Sequence, residues 1–453
     1  MRRSAAAATV ATVLALVAAG PEPSRAAAED PTVPEPPAAG PASITPQDAL
    51  RHVTFLAGDK LEGRGSGFDG ANEAGRYLVA QIQGFGVEPG GPAEGASGAP
   101  TTLGGGGRAY EQPFNVRCVP FPGQGAGDEA KGQVASTFNV CGLVTGSDPV
   151  LKDEFVVLSA HYDHVGKMKK KVFRGADDNA SGTAALLEVA QAFAAKDAAR
   201  PRRSILLLWV SAEERGLLGS KHFTDNPTVP LGQVVCDLNI DMVGRNKAGE
   251  MDVYGNGTSP DLDEAHLAAA AKSGLRFTPR IGSIFLRSDQ VNFYEKNIPC
   301  LFWTSGLHKD YHTHKDVAAK IDEAKVAKAA LHAYLTAWTV ANRTARPAFR
   351  KLDANASSGP LGAVLDMVDP EEVPAAKLGA GQGLCLVRSV MAGTPAAEAK
   401  LQPGDYVVGV GDDPLPEDDP IGAIEKRMTD AKGGKESLRL LRGTKFMKVV
   451  VKL

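Results

Sequence analysis

From Phe155 onward, short apolar runs alternate with longer stretches of helical spacing, and this alternation narrows the available folds more than any other feature. FVVLSAH (155–161), SILLLWVS (204–211), VVCDLNID (234–241) and IPCLFWT (298–304) read as strands. TAALLEVAQAFAA (183–195) and KIDEAKVAKAALHAYLTAWTVA (320–341) read as helices. Strands alternating with helices predict an α/β sheet covered on both faces, so a three-layer domain with a mixed, mostly parallel sheet.

The pattern changes near the end. Residues 346–358 are polar and irregular and read as a linker. Beyond them come short β runs at 383–390, 405–411, 437–443 and 446–453, interrupted by one helix-like stretch at 420–430. Residues 359–453 are therefore expected to form a small, separate β-rich domain. At the other end, Arg2-Arg3, an apolar run over 5–19 and Ala26-Ala27-Ala28 have the layout of an export signal. The expected division is a signal peptide at 1–28, a Pro-rich linker at 29–45, a main domain at 46–345, a linker at 346–358 and the last domain. Export predicts a periplasmic or secreted protein. No later segment is apolar for long enough to span a membrane. A Gly-rich stretch at 84–108 has almost nothing to bury and is expected to form a loop.

Charge excludes some partners. The 453 residues carry 50 Lys+Arg against 53 Asp+Glu, so no basic excess points to nucleic acid. The five cysteines are irregularly spaced, which does not make a disulfide scaffold. Cys118 and Cys141 are the one pair near enough in sequence to suggest a bridge, and spacing alone leaves that open.

Five islands carry candidate chemistry: His161-Tyr162-Asp163, Gly175-Ala176-Asp177-Asp178-Asn179, Glu213-Glu214, Asp241 and Tyr311-His312. Four of them follow a strand or a strand-to-loop break. In α/β sheets, ligand groups collect at the carboxyl ends of strands. Two His and three carboxylates suit a pair of divalent ions, with one carboxylate shared and a spare Glu beside a ligand Glu free to act as a base.

The islands VVLSAHYDHVG (156–166), GADDNASG (175–182), SAEERGLLGS (211–220), NIDMVG (239–244), RSD (287–289) and DYHTHKD (310–316), with HVTFLAGDKLEGRGSG (52–67), resemble metallopeptidase family 28, which contains secreted bacterial di-zinc aminopeptidases. The resemblance implies the zinc-exopeptidase fold and two Zn2+ per chain, with Co2+ or Mn2+ as substitutes. It implies that His161 and Asp241 bind one ion, Glu214 and His312 the other, and that Asp177 bridges them. Glu213 becomes the general base and Asp163 the acceptor of the far N–H of His161. Tyr311 and Arg287 match substrate-contacting positions. The peptide bond between Asp177 and Asp178 is expected to be cis. His164 and His314 are expected at the rim, and His222, His266, His308 and His332 in structural or solvent-facing roles. The implied reaction is removal of N-terminal residues from peptides by a metal-bridged hydroxide. Alternatives on the same fold are a glutaminyl cyclase-type acyltransferase, a carboxypeptidase and a catalytically silent peptide-binding protein.

GLCLVRSVMAGTPAAEAKLQPGDYVVGVGDDPL (383–415) resembles a bacterial PDZ domain. That resemblance implies an extended peptide or C-terminal tail as partner, cradled at Gly359-Pro360-Leu361-Gly362, where Pro360 lacks an N–H. Every catalytic island lies before residue 320, so this domain is expected to be dispensable for hydrolysis of small aminoacyl-anilides.

Overall fold

The computed structural model describes residues 33–93, 108–118, 133–168, 171–196, 199–280, 282–352, 359–391 and 393–453. The expected signal peptide (1–28), most of the Gly-rich stretch (94–107) and the end of the expected linker (353–358) lie outside the described residues. None of the described helices is long and apolar enough to cross a membrane.

Among the described residues the main sheet has nine strands. Four adjacent parallel strands form its centre, in the order Ser204–Val210, Phe155–His161, Val234–Ile240 and Cys300–Thr304. Antiparallel strands flank them: Gln133–Val144 on one side, Glu250–Tyr254 on the other. The central strands are buried along their whole length because both faces are covered. Alternate side chains separate into two cores. Val156, Leu158, Leu207 and Leu238 meet the helices Gly182–Ala194 and Glu323–Asn342, which share that core. Phe155, Val157, Leu206 and Leu208 pack with Phe223 and Phe293 on the opposite face.

The antiparallel flanks were not read from the sequence. Gln133–Val144 and its partner Glu111–Cys118 mix polar with apolar positions, and their pairing carries them into the sheet. Cys141 on that strand is a buried free thiol.

Two expected linkers are pinned down where they are described. The Trp338 indole N–H donates to the Pro34 carbonyl (2.7 Å), Lys272 pairs with Glu35, and Ala39–Ser43 is helical. So the described part of this stretch, residues 33–45, packs onto the main domain. After the long helix, Arg350 N–H donates to Thr258 O (2.7 Å), Leu352 N–H donates to Tyr294 Oη (2.9 Å), and Phe349 lies against Tyr294. The stretch 346–352 is thus a strap on the main domain's surface.

The C-terminal residues form a second, seven-stranded antiparallel sheet among those described, with its own core of Leu365, Val387, Val407, Ile424, Leu438 and neighbours. The helix Pro420–Asp430 closes it, with Asp419 capping its start by accepting from Gly422 N–H.

Candidate metal centre

The four central strands run in one direction, so their carboxyl ends lie along one edge of the sheet. His161 ends its strand, Glu213 and Glu214 follow Ser204–Val210, Asp241 follows Val234–Ile240, and the loop after Cys300–Thr304 leads to His312. Asp178 comes from the turn before the helix Gly182–Ala194. Three of these loops carry a non-glycine residue with left-handed backbone: Ala212 (φ 61°), Met242 (φ 59°) and His312 (φ 54°). Such conformations persist where surrounding contacts over-determine them, and they cluster at functional sites.

Two groups of ligand-type side chains result. His161, Glu213 and Asp241 form one, and His164, Asp178, Glu214 and His312 the other; within each, ligand atoms lie within 4.8 Å of one another. The Asp178 carboxylate joins the groups. Its Oδ1 stands 3.3 Å from His161 Nε2, and its Oδ2 stands 3.0 Å from His312 Nε2 and 3.5 Å from His164 Nδ1. Asp241 Oδ1 is 3.2 Å from the same His161 Nε2, and Glu214 Oε1 is 3.1 Å from His312 Nε2. Buried imidazole and carboxylate in these proportions fit divalent zinc or a similar ion, with Asp178 placed to be shared.

Asp177, expected as the shared ligand, is turned away. It accepts from Gly244 N–H (2.6 Å) and Ser181 Oγ (3.0 Å), and its other oxygen faces His308 Nε2 at 3.1 Å. Successive residues of this turn point to opposite sides, so only one Asp reaches the histidines. The backbone N–H groups of both Asp177 and Asp178 donate to the Asp316 carboxylate, which holds the turn. The cis peptide bond joins Asp178 to Asn179, one residue later than expected. His164 also departs from expectation: it is fully buried, with Nδ1 3.0 Å from Glu214 Oε1, inside the second group instead of at the rim.

Asp163 lies beside His161, but it is the Asp163 carbonyl that faces His161 Nδ1, at 3.2 Å, with the carboxylate at 3.7 Å. The carboxylate accepts from Ser66 Oγ (2.5 Å) and Glu213 N–H (3.1 Å), tying the two islands together. The early segment contributes a support that motif reading passed over. Buried Arg64 donates to the carbonyls of Tyr162, Leu56, Arg174 and Gly175, so one guanidinium sets the path of two ligand-bearing loops. Ser288 Oγ donates to Asp241 Oδ2 (2.9 Å) and itself accepts from Asn239 Nδ2 (2.7 Å), orienting Asp241. His266 and His332 meet each other at 2.9 Å in the core, remote from the site.

The neighbouring glutamates have opposite electrostatics. Burial, together with Glu214, Asp289 and Asp241, pushes Glu213 well above the usual carboxylate range despite the pull of His161. Burial opposes ionisation of Glu214 too, but His312 and His164 overcome it and hold Glu214 at about 2. His312 rises to about 9 because Glu214 and Asp178 outweigh its burial. In these surroundings Glu213 tends to keep its proton and Glu214 to lose it.

A narrow cavity opens beside these groups, lined in part by Met242, Ile284, Phe302, Leu307, Arg287 and Tyr311. Arg287 Nη2 donates to Tyr311 Oη (3.1 Å), and the Tyr311 ring stacks on His312 with centroids 3.8 Å apart.

Residues 139–336 match Peptidase family M28. The match spans somewhat less than half the chain and contains every residue of the two ligand groups. Aminopeptidase YwaD of Bacillus subtilis is 32% identical over 189 residues, covering 39% of each chain. The probable leucine aminopeptidase of Trichophyton verrucosum is 27% identical over 197 residues, 41% of this chain and 51% of that one. The matches thus span about two fifths and about half of these two relatives' lengths. Among solved structures, Legionella pneumophila LapA superposes with a TM-score of 0.50 at 20% identity, covering 67% of this chain and 75% of LapA. BSAP, a zinc aminopeptidase from Bacillus subtilis, also superposes with a TM-score of 0.50, at 18% identity over 68% of this chain and 99% of that one. The likeness to these structures is one of fold.

Proposed function

We propose that the chain is a zinc-dependent aminopeptidase that removes N-terminal residues from peptides. The observation carrying this reading is the Asp178 carboxylate, one oxygen turned to His161 and the other to His312, with Glu213 buried alongside. His161 and Asp241 would hold one ion, Glu214 and His312 the other, and Asp178 both; His164 stands ready to complete the second set. Bound divalent ions supply Lewis acidity and lower the pKa of water in the site. Glu213 takes the proton of the attacking water and returns it to the leaving amine, a task for which a raised carboxyl pKa suits it. Tyr311 Oη and the Arg287 guanidinium line the cavity and supply donors for the scissile carbonyl oxygen as it gains charge. The wall of Met242, Ile284, Phe302 and Leu307 favours an apolar first residue. We read residues 359–453 as a PDZ-like module and the Arg-led start as an export signal, to be checked by N-terminal sequencing of mature protein.

The test is a panel of aminoacyl-anilides and N-blocked peptides, each with and without chelator. Turnover of leucyl- and phenylalanyl-anilide, lost on blocking the amine and on chelation, is the expected result. Cleavage of blocked peptides, or turnover indifferent to chelator, overturns the reading.

A further inference from the structure

We infer that the C-terminal domain forms a working wall of the substrate cavity, and that Asp366 in it is a positioning residue for Arg287; the inference rests on the peptidase reading above. The contact centres on the short helical turn Ser283–Arg287 of the main domain. The strand Ala363–Met367 packs against both this turn and the helix Pro420–Asp430. From that helix, Glu425 Oε1 accepts two hydrogen bonds from one residue, Ser283 N–H (2.9 Å) and Ser283 Oγ (2.8 Å). Main-chain and side-chain donors of the turn are thus both committed to the second domain.

At the other end of the turn, Arg287 Nη2 lies 2.8 Å from Asp366 Oδ1. The Arg287 side chain is only 10% exposed and that of Asp366 2%. The second oxygen of Asp366 is taken by Arg388 Nε. Asp366 therefore sits between two guanidiniums, and its position is fixed from within its own domain. A buried arginine needs such a partner: without it the charge is stranded, and a long, flexible side chain has no reason to stay over the cavity. The nitrogen that meets Asp366 is also the one that donates to Tyr311 Oη, so the carboxylate orients the pair.

The apolar contacts agree. Ile284, Leu307 and Tyr311 all pack against the core of the C-terminal domain while lining the cavity. Part of the cavity wall is therefore backed by a separate domain. Gly282 and Ser283 also come up against Gly359, the first residue of the stretch expected to cradle an external peptide, so the main chain of the first domain lies at that end of the cradle.

The experiment uses the full chain. Wild type, Asp366→Asn, Arg287→Ala and the double variant are compared for kcat and KM on leucyl-anilide, zinc per chain and melting temperature. Asp366→Asn should lower kcat/KM at least roughly tenfold with zinc content unchanged, since small misplacements of positioning groups cost this much. In the Arg287→Ala background the same change should cost little more, because Asp366 acts through Arg287. A merely structural Asp366 would lower the melting temperature and leave kcat/KM of the folded protein intact; that outcome, or full additivity, overturns the inference. Absence of wild-type turnover on any free-amine substrate sinks the peptidase reading instead. The domain contact is then judged by amide exchange over 282–288, which Glu425→Ala must accelerate at least roughly tenfold, and unchanged exchange overturns it.

Discussion

Asp177 and Asp178 show how much can turn on one residue. Both are fully or almost fully buried, yet Asp178 faces three histidines and Asp177 faces Gly244, Ser181 and His308. Asp178→Asn should lower bound metal well below wild type, because a shared charged ligand is lost from both groups. Asp177→Asn should leave metal content near wild type and cost about 1–3 kcal/mol of stability through weakened buried hydrogen bonds. Metal per chain by atomic spectrometry and urea unfolding separate the two; equal metal loss in both variants would show that Asp177 is also a ligand. Glu213 and Glu214 form a second such pair. Glu213→Gln keeps the shape and removes the proton carrier, so kcat should fall at least roughly 10²-fold at unchanged zinc content. Near-normal turnover by a fully metallated Glu213→Gln protein would move the base elsewhere.

Among the elements, the junction of helices Pro46–Leu56 and Gly182–Ala194 contains a titratable group remote from the metal ligands. Thr45 caps the first helix, and its backbone N–H donates to Glu188 Oε2 (2.8 Å) on the second. Burial pushes Glu188 up to about 7, opposed by the Thr45 hydrogen bond. A carboxyl with a raised folded pKa holds its proton more tightly when folded. Its contribution to stability is complete below the unfolded value of about 4.5 and is lost as pH rises through about 7. Wild-type stability should therefore fall between those pH values by on the order of 1–3 kcal/mol from this group. In Glu188→Gln that decline should be shallower, as read from melting temperature at successive pH values. Parallel profiles would mean that Glu188 ionises in the fold as it does in the unfolded chain.

On the scale of the whole molecule, two groups of buried acids and histidines lie where the main sheet, the Arg64 loop and the loop before the last long helix converge. Ions bound there tie distant parts of the chain in the folded state only. Metal held at about 1,000 times its Kd stabilises by about 4 kcal/mol. Chelation should lower the melting temperature by roughly 4–8 °C, since each kcal/mol is worth about 1–2 °C at this size. Adding back zinc should restore it. Insensitivity of the melting temperature to chelator and to zinc would argue against a metal in the folded protein.

The central strands and their covering helices were legible because their signals are local: continuous apolar runs of strand length, and helical spacing between them. Phe155–His161, Val234–Ile240 and Glu323–Asn342 appear within a few residues of where the pattern put them. The same locality made the islands at His161, Glu213-Glu214, Asp241 and Tyr311-His312 visible, since each sits where a strand ends. The sequence by itself thus determined the sheet's central strands, the edge used and the residue types gathered there. It did not determine which neighbour turns inward. That choice belongs to tertiary structure: the Asp177–Asp178 turn is held by Asp316, almost 140 positions later in the chain, and its path is set by Arg64, more than 100 positions earlier. His164 enters the metal group, and the C-terminal domain backs the cavity, for the same reason. The direction of a side chain is decided by backbone and partners that arrive from far along the chain, and no local pattern records them.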